Sequence, residues 1–117
     1  MAKKAFIKYH LKNHNKAWNP LFKDSKSWLF GFFKPKTRSI KDYDYLELHK
    51  YPELFILLTG RIMMTFKKTP KSPIEKMELK KGEVVVFNCW HNGYAIEKDS
   101  TALVIERPVN PTKHISI

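Results

Sequence analysis

The sequence predicts a single all-β domain, and three observations carry that prediction. Val, Ile, Phe, Tyr and Trp gather in short runs separated by turn-forming residues, and the aromatic share of 14% favours strands. No segment of helix length holds a 3.6-residue apolar period, which disfavours a βαβ arrangement. At 117 residues the chain has material for one hydrophobic core, not two.

The elements follow in order. Ala5 to Leu11 reads as a first strand, and the polar stretch containing Asn13, Asn15, Asn19 and Pro20 as a loop. Trp28 to Lys34 reads as an aromatic strand closed by Pro35. From Tyr43 the pattern becomes regular, with strands at about Tyr43 to Tyr51, Glu53 to Leu58, Arg61 to Lys67, Glu75 to Leu79, Glu83 to Asn88, Tyr94 to Glu97 and Thr101 to Glu106. The separating turns are Pro52, Thr59-Gly60, Pro70 to Pro73, Lys81-Gly82, His91-Asn92-Gly93 and Lys98-Asp99-Ser100. Connections this short imply antiparallel pairing, which a sandwich and a closed barrel satisfy equally.

Charge divides the chain in two. Residues 1–41 carry ten Lys, Arg38 and one acid, Asp24, whereas residues 42–117 are nearly balanced, so most of the net charge of +11 sits in the first third. We therefore read residues 1–41 as a basic, aromatic-rich extension that packs on or completes a core formed by residues 42–117. No apolar run approaches the roughly 20 residues of a membrane-spanning helix. The start, MAKKAFIKYH, lacks the features of a secretory signal. Cys89 is the single cysteine, so no internal disulfide forms and a reducing cytoplasm is the expected compartment.

Side chains of like parity share a strand face, so a strand running through Pro52 would point Glu47, His49, Tyr51 and Glu53 the same way. A second group, Asn88-Cys89-Trp90-His91, ends the apolar run GEVVVF. His49, Glu53 and His91 converging inside a barrel would offer two imidazoles and a carboxylate to a divalent transition metal, with coordination positions left open. Cys89 is read as a small buried hydrophobe.

The segment HKYPELFILLTG, with His49, Glu53 and Gly60, resembles the second half of the first cupin motif. The stretch from Gly82 through VVVFNCW to His91, followed by ALVIERP, resembles the second. This likeness covers roughly residues 42–108. It implies a small antiparallel jelly-roll β-barrel whose pocket binds a divalent metal through His49, Glu53 and His91. The sequence departs from the pattern where Glu47 replaces the first His and where Asn88 and Trp90 replace a proline and a glycine. The Trp-His ending also resembles cupin-type nucleotide-sugar ketoisomerases, with Glu47-x-His49 where those carry His-x-His.

The resulting expectation is a pocket for a small polar metabolite. The metal ligands are His49, Glu53 and His91, holding Zn, Mn, Fe or Ni. The catalytic groups are Glu47, His49 and His91, acting in isomerisation or proton transfer at a sugar or carbonyl compound. Tyr51 and Trp90 are expected as pocket walls. Two further classes stay open: a non-catalytic ligand-binding or sensing module, and single-stranded nucleic-acid binding by the basic region through Trp18, Phe22, Trp28 or Phe30. A homodimer is expected from the family and from the apolar stripe of Leu54, Ile56 and Leu58, which needs a cover.

Overall fold

The computed structural model describes residues 5–117. Its ten strands are β1 (Trp18–Asp24), β2 (Trp28–Phe33), β3 (Tyr45–His49), β4 (Glu53–Thr59), β5 (Ile62–Lys67), β6 (Glu75–Leu79), β7 (Val84–Phe87), β8 (Trp90–Ala95), β9 (Thr101–Glu106) and β10 (Thr112–Ser116). The described residues form no α-helix, and the helical content is two single 3-10 turns, Leu11–Asn13 and Ile40–Asp42. The strands make two antiparallel sheets ordered β1-β2-β9-β4-β7 and β10-β3-β8-β5-β6. From β3 onward the chain passes repeatedly from one sheet to the other, the jelly-roll arrangement.

Strand alternation explains the packing. Along β4 every second residue from Glu53 to Leu57 is buried, and β9 turns Ala102 and Val104 inward. Phe55, Leu57, Ile62, Met64, Leu79, Phe87, Ala102 and Val104 form the core between the sheets. Each such side chain fully removed from water contributes about 1.5–3 kcal/mol, alanine less. The tight step from β4 into β5 needs Gly60, whose φ is +77° and where a Cβ would collide with Ser100.

Several elements differ from the sequence reading. Residues 5–11 form no strand; Tyr9 instead bonds the Leu21 carbonyl (3.1 Å) and packs edge-on against Phe30. The polar stretch read as loop supplies β1, where Pro20 is tolerated because β1 is an edge strand and the ladder slips between Pro20 and Phe22. The expected turn at His91-Asn92-Gly93 lies inside β8. There Gly93 serves close packing: a Cβ would lie 2.8 Å from Met64 Sδ and 3.4 Å from Phe33 Cε2. The C-terminal strand β10 was not expected. β1 and β2, from the basic stretch, are hydrogen-bonded into the same sheet as β9 and β4.

The outer face of the first sheet is apolar. Leu54, Ile56 and Leu58 turn outward beside Val84 and Val86, which are 58% and 57% exposed. Further along, Phe22, Trp28 and Phe30 pack on one another at centroid distances of 5.7–6.3 Å, Trp28 and Phe30 stacked and Phe22 tilted against both.

Candidate functional site

Register and a change of sheet assemble the site. Glu47 on β3 pairs directly with His91 on β8, so both side chains emerge on one face, and His49 lies two residues along the same face. Glu53 does not extend that row, contrary to the sequence reading. β3 ends at His49, and the chain crosses at Lys50 to Pro52 into the opposite sheet, where Glu53 begins β4. The imidazoles therefore face the Glu53 carboxylate across the barrel. The crossover is fixed from outside: Asn110 clamps the Tyr51 backbone with two hydrogen bonds, accepting from its N–H (2.8 Å) and donating to its carbonyl (3.0 Å), and Lys50 N–H donates to the Pro111 carbonyl (2.9 Å).

The resulting cavity of about 260 Å³ is lined by Glu47, His49, Glu53, His91 and Glu106 and walled by Trp18, Phe33, Phe55, Met64 and Val104, among others. Glu53 and His91 are only 6% and 4% exposed. Glu53 Oε1 lies 2.6 Å from His49 Nε2 and 2.9 Å from His91 Nε2. Glu47 Oε1 lies 3.4 Å from His49 Nε2, and its other oxygen is 3.5 Å from His114 Nε2 on β10.

The far nitrogens of both imidazoles are committed. His91 Nδ1 lies 2.8 Å from the Cys89 carbonyl, which can only accept, so Nδ1 carries the proton. His49 Nδ1 meets Thr112 Oγ1 at 2.7 Å, and that hydroxyl already donates to the Asn110 carbonyl at 3.0 Å, so His49 Nδ1 is the donor. Acceptors thus fix both tautomers and leave each Nε2 facing the same carboxylate oxygen. His49 Nε2 is buried and makes no aligned hydrogen bond, its 2.6 Å approach to Glu53 being a charge contact.

Two lone pairs and a carboxylate oxygen this close require positive charge between them. Protons supply it in part. Burial pulls the His49 pKa down, but the close approach of the Glu47 and Glu53 carboxylates and their charges override it and push it up to about 10. Burial likewise pushes both Glu47 and Glu53 up. Contact with His49, and for Glu53 with His91 also, outweighs it and holds both carboxyls below the usual range. Glu106 goes the other way: burial, then the neighbouring Glu53, raises it to about 8. A metal ion is the other source of positive charge. Ligand atoms of Glu47, His49 and His91 lie within 4.8 Å of one another, and the orphaned, pre-aimed His49 Nε2 fits a metal ligand held by an outer hydrogen bond.

The structure thus gathers four of the sequence-predicted residues, Glu47, His49, Glu53 and His91, around one cavity. Tyr51 and Trp90 do not line it. Trp90 precedes His91 on the strand and so points to the opposite face, and the Tyr51 ring lies under the Arg107 guanidinium, 4.1 Å away. Cys89 packs half-buried against the core and enters the site through its carbonyl. Sequence reasoning missed Glu106, Trp18 and Thr112. The signal for Glu106 was parity, since Ala102, Val104 and Glu106 form one inward row.

No protein-family model and no curated protein matches the chain. Solved structures do. A cupin-2 domain protein from Shewanella frigidimarina aligns over 83% of this chain and 87% of its own with a TM-score of 0.61 and 20% identity. The chain folds as a cupin. A protein from Neisseria meningitidis gives a TM-score of 0.59 at 18% identity, over 84% of this chain and 91% of its own. Cobalt(II) HppE in complex with substrate gives 0.62 at 19% identity, over 87% of this cupin-fold chain and 57% of its own. Among the described residues no helix is long and apolar enough to cross a membrane.

Proposed function

We propose that this cupin-fold chain binds a small polar metabolite in its cavity together with a divalent transition metal held by His49, Glu53 and His91, with Glu47 beside them. One observation carries the reading: both imidazoles have their Nδ1–H groups committed elsewhere, so both Nε2 atoms converge on Glu53 Oε1. Imidazole and carboxylate donors suit Zn, Mn, Fe or Ni. The likeness to a cobalt-bound cupin fold supports it. When bound, the ion supplies Lewis-acid polarisation of a ligand oxygen.

The chain's own residues supply the rest. Glu47, ionised and one-third exposed, is the proton acceptor, and Glu106 carries a proton at neutral pH. One ionised and one protonated carboxyl in a single pocket suit acid-base work. The reaction class is proton transfer beside a carbonyl, as in isomerisation of a sugar or related compound. Trp18, Phe33 and Phe55 exclude water from one side of the ligand. A second copy of the chain covering the outer face of Leu54, Ile56, Val84 and Val86 belongs to the same proposal, as does a reducing, cytoplasmic setting for the unpaired Cys89.

Elemental analysis of protein purified without a metal-affinity tag is expected to return close to one transition metal per chain, lost in His49→Ala and His91→Ala. Metal retained undiminished by both variants overturns the assignment.

A further inference from the structure

A second cavity, of about 210 Å³, opens where the 34–38 segment meets the loop that carries the chain from β8 to β9 in the opposite sheet. Lys34, Pro35, Lys36, Arg38, Lys98 and Asp99 line it. Four cations and one acid thus converge from segments some sixty residues apart in sequence. Among the described residues none of the four cations makes an ion pair.

Two features separate this cleft from an ordinary solvated lysine face. Lys34 is only 6% exposed, and its ammonium meets two neutral acceptors, the Leu11 carbonyl and Asn15 Oδ1, with no carboxylate in hydrogen-bond reach. Burying this ammonium away from any paired carboxylate is costly and Lys36 alongside adds to that cost, with Asp99 across the cleft the one acid that offsets it. Arg38 is held in place: Nε donates to the Ala95 carbonyl and Nη2 to the Ile96 carbonyl, both at 3.0 Å, leaving the Nη1 edge unused. Asp42 fixes the same segment by accepting from the Arg38 and Ser39 N–H groups at 2.8 and 3.1 Å. A guanidinium anchored in this way meets an anion with little ordering left to do.

We propose that this cleft is a binding site for a phosphoryl dianion. The excess of three positive charges calls for more than a single carboxylate, and a phosphoryl group offers several acceptor oxygens to the Arg38 edge and the lysines. The volume is below the roughly 300–1,000 Å³ of drug-sized pockets, so the occupant is inorganic phosphate or one phosphate of a larger molecule. The site is independent of the metal reading: it shares no residue with the cavity of His49 and His91.

The test is the thermal unfolding midpoint of chelator-treated protein against sodium phosphate, with ionic strength held constant by sodium chloride. Chelation prevents phosphate from acting through a bound metal. The wild type is expected to show a saturable rise, and the doubly substituted Lys36→Gln/Lys98→Gln protein to need at least tenfold more phosphate for the same rise. Both lysines are exposed, so the fold survives the substitution. A wild-type response no greater than that to chloride, or an equal response in the double variant, overturns the proposal. Binding of a short oligothymidylate identifies the source. Loss of its affinity alongside that for phosphate assigns the site to nucleic-acid phosphates, and unchanged affinity alongside lost phosphate binding assigns it to a small phosphorylated compound.

Discussion

The two cavities are similar in volume, about 260 and 210 Å³, and opposite in construction. The first takes three carboxyls and two imidazoles from strands of both sheets, and strand register dictates who meets whom: Glu47 faces His91 because their strands pair there. Like charges can therefore be forced together, as Glu53 and Glu106 are, with shifted protonation as the outcome. The second takes its cations from loop segments, and three of the four are exposed. Water screens them, so their summed charge matters more than the placing of any one. Strand-borne groups are held in a fixed geometry; loop-borne groups provide a field.

That contrast can be broken experimentally, beginning with its strongest consequence. Glu53→Ala leaves the buried His91 and the partly buried His49 without their shared partner and is expected to cost about 3–5 kcal/mol in urea unfolding. A loss below about 1 kcal/mol would mean the carboxylate is not what holds the cluster.

Next comes pH. His49 titrates at about 10 in the folded chain, above its ordinary value of 6.5, so its contribution is full below pH 6.5 and disappears as pH climbs through 10. Glu106, raised to about 8 from 4.5, acts in the same direction between those values. Glu47 and Glu53, depressed from 4.5, act oppositely and lose their contribution only as pH falls below it. The unfolding free energy of metal-free protein from urea titrations should thus decline from about pH 6 to 9 by on the order of 2 kcal/mol, and His49→Asn should reduce that slope, leaving the part due to Glu106. A flat wild-type curve would remove the proposed proton placement.

Gly93→Ala forces a Cβ against Met64 and Phe33 and is expected to cost about 1–2 kcal/mol by thermal denaturation, with a similar cost in a metal-free preparation. Thr112→Val removes the acceptor for His49 Nδ1–H. It should cost about 1 kcal/mol of stability and roughly 10–100-fold in metal affinity, read by competition with a chelating dye. At the opposite pole, Lys36→Gln/Lys98→Gln in phosphate-free buffer should stay within about 0.5 kcal/mol of wild type. A larger destabilisation would show that the loop-borne cations are structural after all.

Much of this was legible in the chain. Alternation from Tyr43 onward located most strands, and the likeness carried by His49, Glu53 and His91 pointed to the right fold. What escaped had local composition in conflict with tertiary context. Asn92-Gly93 has turn chemistry, yet the glycine is there so that Met64 can approach, and Asn92 donates to the Tyr45 carbonyl across the sheet. Pro20 reads as a loop residue unless the strand is known to be an edge. Glu53 seemed to continue the row of Glu47 and His49 because parity survives the count through Lys50 to Pro52, while the chain actually changes sheets there. His114 showed no pattern, since only the register of β10 lays it against Glu47.

The change of sheet between His49 and Glu53 gives the barrel a seam that can be fastened. Its halves are otherwise joined by apolar contact and by connecting loops, and at this end by charge contacts between one carboxylate and two rings. An ion seated there would act as a removable rivet, tying positions 49 and 91 of one layer to 53 of the other. Loaded and stripped protein would then share a shape and differ chiefly in how slowly the layers come apart.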